Sequence, residues 1–89
     1  GLVSVVTPCY NGEPFLDRYF EGILSQTYRP IEVIFVDDGS TDATYALALS
    51  YRDKLKEQNI RFVHVRQEHK GQSAAINRAL PEVTGEFIT

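Results

Sequence analysis

Cysteine is almost missing: Cys9 stands alone among 89 residues. No internal disulfide can form and no thiolate metal cluster can be built from it. That scarcity fits a reducing, cytoplasmic setting. No apolar run approaches the roughly 18 residues needed to cross a bilayer, and no leader peptide is expected from the opening residues. Any membrane association is expected to come through the parent protein. Positive charge is also short, with a net charge of −3 and a pI near 5.2. A basic stripe for a nucleic-acid backbone is excluded, and no nucleic-acid partner is expected. Phosphate, if bound, must be bound locally. Glycine-rich phosphate cradles are missing too: neither G-x-G-x-x-G nor G-x-x-x-x-G-K-[ST] occurs. A diphosphate held here would need other neutralisation, usually a divalent ion.

What remains is an ordinary globular composition, 43% hydrophobic and 24% charged. The length suits one small core and a single domain over residues 1–89. Leu2 to Thr7 is a β-branched apolar run that reads as a buried strand, ended by Pro8. Tyr10-Asn11-Gly12 is turn chemistry, and Pro14 suits a first helical turn. Phe15, Leu16, Tyr19, Phe20, Ile23 and Leu24 then recur at helical spacing. Ile31 to Val36 is a second strand, followed by a loop from Asp37 to Asp42. Ser40 or Thr41 is expected to cap a helix over Ala43 to Gln58, with Asp42 opposing its dipole. Arg61 to Arg66 alternates enough to be an edge strand, which leaves His64 facing out. A loop from Gln67 to Gln72, a helix over Ser73 to Leu80, a loop over Pro81 to Gly85 and a strand over Glu86 to Thr89 complete the order. That last strand reads as just begun, so the sequence is expected to be part of a longer chain.

Strands alternating with helices predict an α/β fold, a Rossmann-like parallel sheet with right-handed crossovers. Ligands of such sheets sit outside the carboxyl ends of the strands. Three loops are therefore the candidates: Pro8 to Glu13, Asp37 to Asp42, and Gln67 to Gln72. Asp37 and Asp38 are the strongest feature, because an acid at the end of the second strand can accept from a base or ribose. A pair of acids alone is equally explained as a solvated turn capping the next helix. Tyr10 can stack on a base. Lys70 can reach a phosphate or a base carbonyl, and Gly71 permits close backbone approach. His69 reads as part of a plain exposed turn, and Cys9 as a small core residue. Asn11 and Glu13 can polarise the first loop, although Glu13 is equally a favourable charge at a helix start. Asn77 reads as a tie from its helix to a neighbouring loop.

Taken together these stretches resemble the family 2 glycosyltransferases of the GT-A fold. The resemblance is carried by Val3 to Glu13, Leu24 to Tyr28, Glu32 to Asp42, Lys70 to Asn77 and Thr84 to Ile88. It spans essentially the whole chain, and five motifs in order are specific where each alone is weak. The resemblance implies transfer of a sugar from a nucleoside-diphosphate sugar, most commonly a UDP-sugar, to an acceptor hydroxyl with inversion. A bacterial polysaccharide or glycan is the implied product. Pro8 and Tyr10 would line the base pocket, Asp38 would contact the base, and Lys70 would complete the pocket. Asp37 is a further candidate, and Ser73 a supporting one. Mg²⁺ or Mn²⁺ is implied for the full-length enzyme, with its ligands and the catalytic base beyond Thr89. The 89 residues are thus expected to be a GT-A fold truncated after the start of the fourth strand, holding neither catalytic residue nor metal ligand and inactive alone.

Other readings fit less well. A receiver domain would carry its acid pair after the first strand, and a haloacid-dehalogenase-type phosphatase needs Asp-x-Asp. A non-catalytic nucleotide-binding or scaffold module is the alternative. An open sheet edge is also expected to favour pairing with a second copy.

Overall fold

A computed structural model describes residues 1–88. Four parallel strands form one sheet in the order β3-β2-β1-β4: β1 Val3–Cys9, β2 Ile31–Asp38, β3 Arg61–Gln67 and β4 Glu86–Ile88. Thr89, the last residue of the expected fourth strand, lies outside the described residues. The helices are α1 Glu13–Ser25, α2 Thr44–Leu49, α3 Arg52–Glu57 and α4 Gln72–Ala79, with a single 3-10 turn over Leu80–Glu82. The fold is the expected α/β parallel sheet, and its strand order reverses direction at β1.

Residue parity on β2 distributes the layers, since successive side chains point to opposite faces. Ile31, Val33 and Phe35 pack with Leu16, Phe20 and Ile23 of α1, Ala48 of α2 and Leu55 of α3. Ile34 and Val36 pack instead with Val6 of β1 and with Ala75 and Ala79 of α4. Every residue of β2 is buried, as befits a central strand covered on both faces. The aromatic centre is Phe20, whose ring stacks on Tyr51 at 4.6 Å and meets Phe35 and Phe62 at 5.8 Å.

Several boundaries differ from the sequence reading. β1 continues through Pro8, paired opposite Val36, to Cys9; proline's fixed φ suits extended backbone and removes one donor, not the strand. β2 and its ladder run through the acid pair, Asp37 opposite Arg66 and Asp38 opposite Gln67. Asp38 is held inside the sheet by hydrogen bonds on both its oxygens, and Asp37 by one from Ser40 N to Oδ1, its Oδ2 facing the Arg66 guanidinium without a hydrogen bond. The single helix expected over residues 43–58 is two. Ser50 ends the first: its Oγ donates to Leu47 O at 2.5 Å, and such back-bonding disrupts a helix. Neither Ser40 nor Thr41 caps α2, whose start has no side-chain cap. His64 does not face out. Its ring is stacked on Tyr45 at 4.3 Å and on Phe62 at 5.5 Å, with Phe35 edge-on at 5.6 Å. Burial lowers its pKa. Asn77 is exposed on α4.

One polar cluster was not anticipated. Glu32, fully buried in β2, accepts from Ser4 Oγ at 2.6 Å, Arg61 Nη1 at 2.9 Å, and both Thr84 N and Thr84 Oγ1 at 2.8 Å. Ser4 Oγ in turn accepts from Gly85 N at 2.8 Å. One carboxylate thus ties β1, β2, β3 and the approach to β4 together at the amino end of the sheet.

Candidate functional site

The three candidate loops converge at the opposite, carboxyl edge. Between the first two, the ties are reciprocal. Asn11 N donates to Ser40 Oγ at 2.8 Å, and Thr41 N donates to Asn11 Oδ1 at 2.8 Å. Gly12 N donates to Thr44 Oγ1 at 3.0 Å, and Ala43 N donates to Glu13 Oε1 at 3.0 Å. Asp42 accepts from Thr44 N at 2.9 Å and Glu13 N at 3.3 Å. The Thr44 hydroxyl leads the hydrogen bonds that lower the Asp42 pKa. Asn11 and Glu13 thus tie the first loop to the second.

Asp37 and Asp38 separate by parity. Asp37 points to the α1–α2 layer, accepts from Ser40 N at 3.1 Å, and faces Arg66 Nε at 3.5 Å. It shapes the turn beneath the site. Asp38 points to the α4 side. Its Oδ1 accepts from Gln67 Nε2 and Lys70 N, each at 2.8 Å. Its Oδ2 accepts from Gly71 N at 3.0 Å and lies 2.9 Å from His69 Nδ1. The Gln67 side chain and the Lys70 and Gly71 N–H groups hold this carboxyl at about 2, well below the usual range. It stays ionised and acceptor-only at any neutral pH.

Two glycines allow this approach. Gly39 has φ +73°, and a Cβ there would stand 2.6 Å from His69 N. Gly71 has φ +97° with open space around it, so its requirement is conformational rather than steric. The sequence reading assigned Gly71 to close approach; Gly39 fills that role.

Tyr10, an exposed aromatic at 46% accessibility, projects from the end of β1. His69 is not a plain turn residue: its ring stacks on Tyr10 with centroids 4.0 Å apart. Pro8, Cys9, Tyr10, Asp38, His69, Gly71 and Gln72 line one cavity of about 210 Å³. The structure thus brings Pro8, Tyr10 and Asp38 together. Lys70 offers its main-chain N–H to Asp38, and its side chain is exposed beside the site. Ser73 is exposed on the first turn of α4, and Asp37 lies under the floor. Cys9 is half-buried against the α1 core, and burial, then the Asp37 charge, raises its thiol pKa. Among the described residues no group of three or more His, Cys, Asp or Glu is placed to hold a metal ion. Among them, too, no helix is long and apolar enough to cross a membrane.

Known proteins share the sequence pattern and the fold. The family model for glycosyl transferase family 2 matches residues 4–89. The chain is 36% identical over 87 residues to glycosyltransferase GlyA of Streptococcus pneumoniae, covering 98% of this chain and 12% of that protein. It is 42% identical over 89 residues to glycosyltransferase GlyG of the same organism, covering 99% and 28%. The chain therefore spans well under a third of the length of these relatives. Among solved structures, S. aureus TarS 1-349 in complex with UDP superposes with a TM-score of 0.84 at 28% identity, covering 99% of this chain and 27% of that one. Mannosyltransferase PcManGT from Pyrobaculum calidifontis, in complex with GDP-Man and Mn²⁺, gives 0.80 at 30% identity, covering 92% and 24%.

Proposed function

The chain belongs to glycosyl transferase family 2 and has the GT-A fold, and on that premise we propose that it binds the nucleotide of a nucleoside-diphosphate sugar, most readily UDP. The observation that carries this reading is the cavity at the ends of β1 and β2, where an aromatic shelf and an ionised acceptor face one space. Tyr10 offers a π-face for a base, and Pro8 a rigid apolar wall. Asp38 offers the acceptor that a uracil ring N–H needs. Lys70 stands beside the cavity with a free-reaching ammonium for the diphosphate, and Ser73 supports the same rim. The UDP complex of TarS and the GDP-Man complex of PcManGT support a nucleotide here.

The whole enzyme is proposed to transfer its sugar with inversion to an acceptor hydroxyl in polysaccharide or glycan synthesis, on the cytoplasmic side where Cys9 stays reduced. Mg²⁺ or Mn²⁺ use is proposed for it, supported by the Mn²⁺ bound in PcManGT. The described residues do not fit a metal site: Asp38 is the sole acid lining the cavity, and both its oxygens are engaged. What this chain's residues do is bind and orient the nucleotide. Its metal ligands and catalytic base are proposed to lie in further sequence. The 89 residues alone are accordingly expected to give no sugar transfer in a radiolabelled-donor assay, and turnover by this chain would overturn that division of labour.

The binding test is an amide NMR titration with UDP and, separately, GDP. Shifts should concentrate at Tyr10, Asp38, Lys70 and Gly71. Tyr10→Ala should weaken UDP binding about tenfold, the scale of one base–aromatic stack. No shift at millimolar UDP or GDP would reject the nucleotide reading in favour of a scaffold module.

A further inference from the structure

The cavity already contains a ring. His69 makes two contacts at once: its imidazole stacks on Tyr10 at 4.0 Å, and its Nδ1 sits 2.9 Å from Asp38 Oδ2. Those are the two contacts that a nucleobase would need on the proposed reading. Asp38 is also saturated. Gln67, Lys70, Gly71 and His69 supply four hydrogen-bond partners to its two oxygens, which together accept about four. A base N–H can bond Asp38 only if one partner leaves. Lys70 N and Gly71 N are main-chain groups fixed by the loop and by the start of α4. Gln67 Nε2 is a side-chain donor on Oδ1 and touches no aromatic shelf. His69 alone holds both the acceptor and the stacking surface, and its side chain is 56% exposed, free to swing into solvent.

Resting on the reading of this cavity as a base site, we propose that His69 is an internal stand-in for the nucleobase, docked on Tyr10 and Asp38 in the free protein and displaced when the nucleotide enters. The exchange replaces one stacked ring and one donor with another ring and donor. The carboxylate is never left unpaired and the tyrosine face is never bare to water. Apparent affinity is reduced by the fraction of molecules in which the site is already filled. His69 is therefore a positioning residue that sets the threshold for nucleotide entry, not a catalytic one.

The experiment follows the side-chain signals of the wild-type chain during a UDP titration, with His64 as internal reference. His64 is locked among Tyr45, Phe62 and Phe35 and should not move. The expected result is loss of the nuclear Overhauser contact between the His69 and Tyr10 rings as UDP saturates. His69→Ala should then bind UDP about three- to tenfold more tightly than wild type. Persistence of the His69–Tyr10 contact in the UDP-saturated protein, or weaker binding by His69→Ala, would make His69 a wall of the base site and overturn the proposal while leaving the nucleotide site intact. No UDP response in either protein would reject the nucleotide reading itself, and the proposal with it. Should His69→Ala fold poorly, the wild-type ring contact decides alone.

Discussion

Asp38→Ala is expected to weaken UDP binding about 30- to 100-fold, the loss associated with removing a charged hydrogen-bond acceptor from a site. The same change should shift the Lys70 and Gly71 amides in the absence of any nucleotide, because both donate to that carboxylate. Two effects are combined in one residue, and a control separates them. Asp37→Asn disturbs the Ser40 turn and the Arg66 pair but leaves the cavity lining untouched. Its UDP affinity should stay within about threefold of wild type, since a substitution away from the binding groups moves binding little. Equal losses in the two variants would mean that nucleotide binding reads loop integrity alone, and base recognition by Asp38 would be wrong. The acid also sets a pH direction. Asp38 is held at about 2, chiefly by the Gln67 side chain and the Lys70 N–H. Its folded-state pKa lies below the unfolded value near 4. The stability it contributes is complete above that value and is lost as pH falls through the window from about 4 to about 2.

Why Asp38 was legible and His69 was not follows from what each depends on. The apolar run of β2 is written in the chain, so an acid at its end could be placed at the carboxyl edge before any coordinates. The element order and the parallel sheet were legible for the same reason. Parity along a strand also divides the two acids between opposite faces. His69, by contrast, reaches Tyr10 because the β3–α4 loop folds back over Gly39, and that path depends on the positive φ of Gly39 and Gly71. Local composition shows only a polar turn. His64 was misplaced because an alternating edge strand predicts one wet face, whereas Tyr45 of α2 covers it. The break between α2 and α3 was hidden because Tyr45 to Leu55 keeps an apolar helical stripe straight through Ser50.

Glu32 was the least legible residue, and it carries the other large expected effect. A lone acid within Ile31 to Val36 reads as an interruption of an apolar strand. Its partners Ser4, Arg61 and Thr84 lie 28, 29 and 52 positions away. Only the assembled sheet brings them together. Burial by itself would raise the Glu32 pKa; the hydrogen bonds from Ser4, the Thr84 N–H and hydroxyl, and Arg61 outweigh it and hold the carboxyl at about 2. Glu32→Ala would leave the buried Ser4 hydroxyl and the Thr84 N–H and hydroxyl without this acceptor, and would leave Arg61 with Glu82 alone. Removing one member of a buried charged network costs about 3–5 kcal/mol, and the half-exposed Arg61 head argues for about 2–4 kcal/mol here, since solvent can take it back. For a domain of this size that is a fall in melting temperature of roughly 10–30 °C. Glu32→Gln keeps the shape and should lose less. The sign with pH is fixed by the depressed pKa. The contribution of Glu32 is fully present above the unfolded value near 4.3 and fades as pH falls from there to about 2. Thermal melts of wild type and Glu32→Gln should therefore differ most near neutrality and converge toward pH 2. A gap that stays constant across that range would show that Glu32 acts through packing and not through its charge. A neutral-pH melt unchanged by Glu32→Ala would show that the four strands do not need this carboxylate to hold together.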